Sequence, residues 1–247
     1  MSFANKVVIV TGASSGIGAA TAVAFGKEGA SVVLVGRNEQ RLQQVAEQCA
    51  GALVVKADVS NEDDAKRIVD NTLERFGKID VLVNNAGIAK FGTILGGKVM
   101  DTYDEVMNTN VRAAVNLTTL AAPHLVATKG NVVNISAIGG SYAPTPPFLA
   151  YCMSKAALNH FTKGAALELA ASGVRVNAIS PGPVRTDIIA NAGFPITWDH
   201  FAAQTALGRV SEPDEVADLV LYLASDRAKG ITGSNYVTDN GMMLSKI

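Results

Sequence analysis

The sequence predicts an α/β protein with a doubly wound parallel sheet of about seven strands, covered by helices on both faces. Three observations point there. Short apolar, β-branched runs alternate with longer helical stretches along the whole chain. Most of these runs are almost continuously apolar, as strands buried on both sides are. The connections are short and no linker-like change of composition occurs, so residues 1–247 read as one domain.

The elements follow in order. Residues 6–10 form a first strand, broken by Thr11-Gly12-Ala13-Ser14-Ser15-Gly16-Ile17-Gly18, after which an alanine-rich helix runs to about Gly29. A second strand, 31–35, ends at Gly36-Arg37-Asn38, completing a βαβ unit. Residues 40–48 are helical, 52–56 form a strand, and Ser60 with Asp63 resembles a capping box for a helix reaching about Phe76. Residues 79–83 form the fourth strand, closed by Asn84-Asn85-Ala86-Gly87. A glycine-rich segment, 91–98, leads into one long helix over about 103–127, and 131–135 is the fifth strand. Prolines keep the loop around 141–147 irregular. A helix from Tyr151 stops near Ser172-Gly173, a usual C-terminal glycine signal, and 174–179 is the sixth strand. Residues 187–207 are less periodic. Pro213 opens a helix to about Ala224, and 235–238 is the seventh strand.

Composition narrows the function. The chain has 247 residues, 48% apolar, with a formal net charge of -1, which argues against a nucleic-acid binder. Cys49 and Cys152 are far apart, so a disulfide framework is not expected and a reducing compartment is. The N-terminal apolar run is too short for a signal sequence or a membrane span, and a cytoplasmic location is expected. His124, His160 and His200 are scattered without metal-ligand spacing.

Gly12-x-x-x-Gly16-x-Gly18 follows a strand and opens a helix, the context of a Rossmann-type dinucleotide-binding turn. Gly12 allows the tight turn, Gly16 lets backbone approach a pyrophosphate, and Gly18 permits close helix–strand packing. The helix N-terminus adds free N–H groups and positive potential for phosphates. At the tip of the second strand, a carboxylate suits the ribose 2′-OH of NAD(H), whereas an arginine suits a 2′-phosphate. Here the tip carries Arg37 and no carboxylate, so NADP(H) is expected over NAD(H).

Tyr151 and Lys155 stand one helical turn apart, on one face. An ammonium beside a phenol lowers its pKa from about 10, and the tyrosine can then exchange a proton near neutral pH.

In their order and spacing, the 11–18 turn, Asp58-Val59, Asn84-Asn85-Ala86-Gly87, Asn110-Val111, Tyr151-x-x-x-Lys155 and Pro181-Gly182 resemble the classical short-chain dehydrogenase/reductases over about residues 6–241. The resemblance implies NAD(P)-dependent carbonyl/alcohol oxidoreduction by a homotetramer or homodimer. It implies that the turn holding Gly12, Ser14, Ser15, Gly16, Ile17 and Gly18 binds the pyrophosphate. Asp58 and Val59 would contact the adenine, and Asn85, Ala86 and Gly87 would line the cofactor trough. Tyr151 would be the general acid/base, and Lys155 would bind the nicotinamide ribose while lowering the Tyr151 pKa. Asn110 would help hold a water that relays protons, and Pro181, Gly182, Val184 and Thr186 would meet the nicotinamide end.

One position departs from the family pattern. After the fifth strand the family usually carries two small residues, the second a catalytic serine; here the pair is Ser136-Ala137. Ser136 could present its hydroxyl through a shifted register, although adjacent strand residues point to opposite faces. Ser141 could reach in from the loop. Alternatively the role is absent, leaving a slower enzyme or a dinucleotide-binding regulatory or scaffold protein. Losing one oxyanion donor costs about 10²–10³ in rate.

Residues 187–207 are expected to cover the substrate, since long irregular segments in compact domains often do. Ile188, Ile189, Phe194, Ile196, Trp198 and Phe201, with Tyr142, Phe148 and Phe91, suggest an apolar carbonyl or alcohol.

Overall fold

The first strand, β1 (Val7–Thr11), is buried at all five positions. It lies inside a seven-stranded sheet, and its alternate side chains meet helices on opposite faces. The computed structural model describes residues 2–143, 147–193 and 197–244. After β1 come α1 (Gly16–Lys27), β2 (Ser31–Gly36), α2 (Glu39–Ala46), β3 (Leu53–Lys56), α3 (Glu62–Phe76) and β4 (Val81–Asn84). Then follow α4 (Val99–Met107), a π-helical turn (Asn108–Arg112), α5 (Ala113–Thr128), β5 (Asn131–Ile135) and α6 (Leu149–Leu169). The chain continues through β6 (Arg175–Pro181), α7 (Ile188–Asn191), α8 (Trp198–Ala202), α9 (Pro213–Ala224) and β7 (Asn235–Thr238).

All neighbouring strands pair in parallel, in the order β3-β2-β1-β4-β5-β6-β7. On one face Val8, Val10, Val32, Leu34, Val83 and Val133 pack against Phe25 of α1 and against Val216, Val220 and Leu223 of α9. On the other, Ile9, Val33, Val35, Leu82 and Val132 meet Ile68 of α3, Leu117 and Leu125 of α5, and Ala165 of α6. This is the doubly covered parallel sheet the apolar runs predict.

A polar chain crosses the second of these helical layers. Asn84 and Asn134 are register partners on β4 and β5. The Asn84 amide donates to Asn134 Oδ1 at 2.9 Å and to Thr118 Oγ1 at 3.0 Å. Asn134 Nδ2 donates in turn to Thr162 Oγ1 at 2.9 Å, so β4, β5, α5 and α6 are joined in one register.

Two local expectations are corrected. The cap of α3 is Asn61, whose side chain accepts from the Asp64 N–H, and not Ser60 with Asp63. Ser60 Oγ donates instead to Asp58 Oδ1 at 2.6 Å, which moves the helix start one residue on. The long helix over 103–127 begins earlier, at Val99, and is interrupted by the π turn. Asn110 is the reason: its side chain is drawn sideways onto the backbone of Ile88. Such single π turns recur at functional sites.

Candidate active site

The strand order reverses between β1 and β4, and in such sheets the carboxyl ends of the strands open a crevice there. A cleft of about 1220 Å³ lies along these ends. That exceeds the roughly 300–1,000 Å³ of a pocket for one small ligand. The volume accommodates a dinucleotide together with a second molecule.

The glycine turn forms one wall. Gly12 and Gly16 adopt φ of 66° and 54°, in the left-handed region that favours glycine. A Cβ on Gly18 would lie 2.2 Å from the Gly12 carbonyl oxygen, so Gly18 serves the close packing expected of it. A Cβ on Gly16 would lie 2.8 Å from Thr186 Cγ2, which places the turn opposite the segment after β6. Helix α1 has no acidic residue in its first turn, and Ser15 makes no side-chain cap, which leaves this N-terminus open to an anion. This cradle fits a dinucleotide pyrophosphate. Gly12, Ser14, Ser15, Gly16 and Ile17 all line the cleft, while Gly18 supports it from behind.

Thr11 ties this wall to the next. Its hydroxyl accepts from the N–H groups of Asn85 and Ala86, both at 3.0 Å, and donates to the Val83 carbonyl. The Asn85 amide donates back to the Thr11 carbonyl at 2.8 Å. A buried threonine closing a strand before a glycine turn is the signal that marks it. Asn85, Ala86 and Gly87 line the trough.

At the far rim stand Gly36, Arg37, Asn38, Asp58 and Val59. Asp58 Oδ1 accepts from the N–H and Oγ of Ser60, and Oδ2 lies 3.8 Å from Arg37 Nη1. Arg37 is 73% exposed along its side chain, an available guanidinium at the tip of β2.

Tyr151 and Lys155 meet on α6 as their spacing implies. Lys155 is 4% exposed and Tyr151 half-buried beside Phe148. Lys155 Nζ donates to the Ile135 carbonyl at 2.8 Å and lies 5.6 Å from the Tyr151 ring centroid. Burial pushes the Lys155 ammonium down to about 8 and pushes the Tyr151 phenol above its ordinary value. The direction runs against the expectation that Lys155 holds the phenol low, because withdrawal of Tyr151 from water favours its neutral form.

Asn110 joins this group from the π turn. Its amide donates to the Ile88 carbonyl at 2.9 Å and to Ser154 Oγ at 3.0 Å, and its Oδ1 accepts from Ile88 N–H at 2.8 Å. A Cβ on Gly87 would fall 3.3 Å from Asn110 Oδ1 and 3.6 Å from Lys155 Nζ, so glycine is what lets these three segments converge.

The serine question is answered in part by geometry. Ser136 and Ala137 both reach the cleft wall, but Ser136 Oγ donates to the Lys155 carbonyl at 3.2 Å, toward the body of α6. The Ser136 hydroxyl thus spends its proton on the backbone of α6 and keeps only its lone pairs for other partners. Ser141 is exposed and lies outside the cleft lining, so it does not reach in.

Pro181, Gly182, Val184 and Thr186 form the wall after β6. A bridge from Val184 to Ser211 holds this wall, and Thr186 Oγ1 donates to the Val184 carbonyl at 3.3 Å. Beyond it, the segment expected to be irregular contains the short helices α7 and α8. Ile188, Ile189, Trp198 and Phe201 line the cleft, as does Phe148, whose ring stacks edge-on with Phe91. Tyr142 is exposed and does not line it. Phe194 and Ile196 lie outside the described residues. Lys90, Glu105, His200 and Gln204 also line the cleft, so its walls are less uniformly apolar than 187–207 suggests. Lys90 and Glu105 come from a distant segment, whereas His200 and Gln204 belong to 187–207 itself, and no local pattern marks any of the four. Among the described residues there is no helix long and apolar enough to cross a membrane, and no group of three metal-binding side chains.

Known proteins resemble this chain over nearly its whole length. The family described as enoyl-(acyl carrier protein) reductase matches residues 12–243. The A-factor type gamma-butyrolactone 1'-reductase (1S-forming) of Streptomyces virginiae is 39% identical, over 97% of this chain and 96% of its own. The meso-2,3-butanediol dehydrogenase of Serratia marcescens is 36% identical, over 99% of this chain and 97% of its own. A solved short-chain dehydrogenase/reductase of unknown function from Caenorhabditis elegans, crystallised with cofactor, superposes with a TM-score of 0.93 at 37% identity, covering 99% of this chain and 97% of that one. The matches run through both the nucleotide cradle and the Tyr151 helix, and the chain belongs to the classical short-chain dehydrogenase/reductase family of nicotinamide-dependent oxidoreductases.

Proposed function

We propose that this oxidoreductase is an NADP(H)-dependent carbonyl reductase whose proton donor is Tyr151. The observation that carries the reading is the convergence of Tyr151 and the glycine cradle on one cleft. A reduced nicotinamide held in the cleft would supply a hydride to the substrate carbonyl carbon. Tyr151 gives its proton to the carbonyl oxygen. A phenol is protonated at neutral pH, as the reducing direction requires, and burial raises the Tyr151 pKa further. Lys155 would hold the nicotinamide ribose hydroxyls with the ammonium protons that the Ile135 carbonyl does not take. Asn110 fixes the Ile88 backbone and, through it, the floor beside Lys155, where a relaying water is to be placed. Arg37 favours NADP(H) over NAD(H), because its guanidinium can take a ribose 2′-phosphate bidentately.

The aromatic and branched side chains of 188–201 favour a substrate with an apolar body, and Lys90, Glu105, His200 and Gln204 offer polar contacts at its edges. A homotetramer or homodimer in the cytoplasm is carried over from the family and is checked by light scattering and by localisation of a tagged chain. Loss of NADPH and of NADH absorbance across a panel of ketones and aldehydes tests the activity. A kcat/KM preference for NADH would overturn the cofactor assignment, and binding of NADPH without turnover of any carbonyl would favour a dinucleotide-binding scaffold.

A further inference from the structure

Arg41 and Asp187 are 146 residues apart in sequence, yet Arg41 Nη1 meets Asp187 Oδ2 at 2.7 Å. Arg41 lies in the first turn of α2, on the rim that carries Arg37, and Asp187 immediately precedes α7. Both residues line the cleft. The pair therefore ties the nucleotide rim to the segment that bears Ile188 and Ile189.

The surroundings leave this contact exchangeable. Asp187 occupies the cap position of α7 but makes no side-chain cap there, so its carboxylate is turned to Arg41. The side chains are 52% and 47% exposed, which makes the pair a weak, solvent-screened one. Asn38 Oδ1 accepts from the Arg41 backbone N–H at 3.0 Å, fixing the main chain while the guanidinium can change partner. Glu39, the nearest carboxylate in sequence, pairs with Lys56 at 3.5 Å. Asp58 already accepts two hydrogen bonds from Ser60, and its contact with Arg37 is long, at 3.8 Å. Two guanidinium groups thus stand at one rim, each held by a singly charged carboxylate in a loose or exposed pair. A phosphate dianion has more charge and the fork geometry that arginine prefers.

We propose that Arg41 is a second arm for the cofactor's ribose 2′-phosphate, parked on Asp187 until the phosphate arrives and displaces it. The inference rests on the NADP(H) reading given above. Arg37 and Arg41 then hold the phosphate together, and α7 loses its tether to α2.

Calorimetric titration of NADPH and NADH into the wild type, Arg41→Gln, Asp187→Asn and the double variant tests this directly. Arg41→Gln should weaken NADPH about tenfold or more, the worth of a charge-assisted hydrogen bond, and leave NADH nearly unchanged. Asp187→Asn should tighten NADPH by up to about fivefold, because it removes a competitor worth no more than an exposed ion pair, and should leave NADH unchanged. The double variant should match Arg41→Gln, since Asp187 acts only through Arg41. A wild type that prefers NADPH, with Asp187→Asn silent or acting equally on both cofactors, overturns the exchange and leaves the cofactor assignment standing. Tighter binding of NADH by the wild type overturns both.

Discussion

Lys155 reaches across from α6 to the carbonyl of Ile135, the last residue of β5, and so places its ammonium 5.6 Å from the centre of the Tyr151 ring. The contact locks the Tyr151 helix to the strand edge that lines the cleft. It also holds a charge in a place with little water, and this leaves a mark on stability. Burial sets the Lys155 pKa at about 8, below its ordinary 10.5. A shift of that size corresponds to about 3 kcal/mol.

The folded chain therefore releases the Lys155 proton before the unfolded chain does. Between about pH 8 and pH 10 the unfolded state binds more protons, and stability rises with pH on account of this group. Above about pH 10 the half-buried Tyr151 phenol acts the opposite way, because the unfolded tyrosine ionises first. Lys155→Met should remove the rise between pH 8 and pH 10 in denaturant titrations of the cofactor-free protein. An unchanged rise in the variant would contradict the assignment.

Ala137 and Ser136 make opposite predictions. Ser136→Ala should leave kcat nearly unchanged and cost about 0.5–1.5 kcal/mol of stability, the worth of its bond to the Lys155 carbonyl. Ala137→Ser adds a hydroxyl at the cleft wall and should raise kcat, by up to about 10²-fold if it reaches the developing oxyanion. Steady-state kinetics and thermal melts of both variants check this. A large fall in kcat for Ser136→Ala with unchanged stability would show Ser136 acting in catalysis.

Gly18→Ala places a methyl 2.2 Å from the Gly12 carbonyl oxygen and 2.5 Å from Asn85 Nδ2. The turn must open, so the variant should bind NADPH at least about tenfold more weakly and lose about 1–3 kcal/mol of stability, as overpacked sites do. Binding titration beside a thermal melt reads both effects.

Asn134→Val cuts the polar chain in the sheet and leaves the Asn84 amide and the Thr162 hydroxyl each short of one partner. A buried group left unsatisfied costs about 1–3 kcal/mol. Urea titration should show a loss in that range, and a neutral result would mean that the chain adds nothing to the register of β4 and β5.

Much of this architecture is legible in the sequence, because doubly buried strands such as 7–10 and 32–35 are apolar at every position and the glycine turn carries its own mechanics. The cradle, Arg37, Tyr151 and Lys155 fall where their local patterns indicate. What was not legible depends on contacts between distant segments. The π turn exists because Asn110 bonds to Ile88, twenty-two residues away, and a helix-period pattern cannot register that. The Ser60 cap fails because Asp58 claims its hydroxyl. The direction of the Tyr151 pKa depends on how far α6 is withdrawn from water, which the spacing of two residues does not express. Arg41 and Asp187 are ordinary surface charges until the fold brings them together.

The proposed chemistry depends most directly on the Tyr151 phenol. NADPH consumption should be followed with an active carbonyl substrate for the wild type and Tyr151→Phe, alongside NADPH titration of both. Removing the proton donor should lower kcat by about 10²–10⁴-fold while the NADPH dissociation constant stays within about twofold. Turnover by Tyr151→Phe at the wild-type rate would contradict the role assigned to Tyr151.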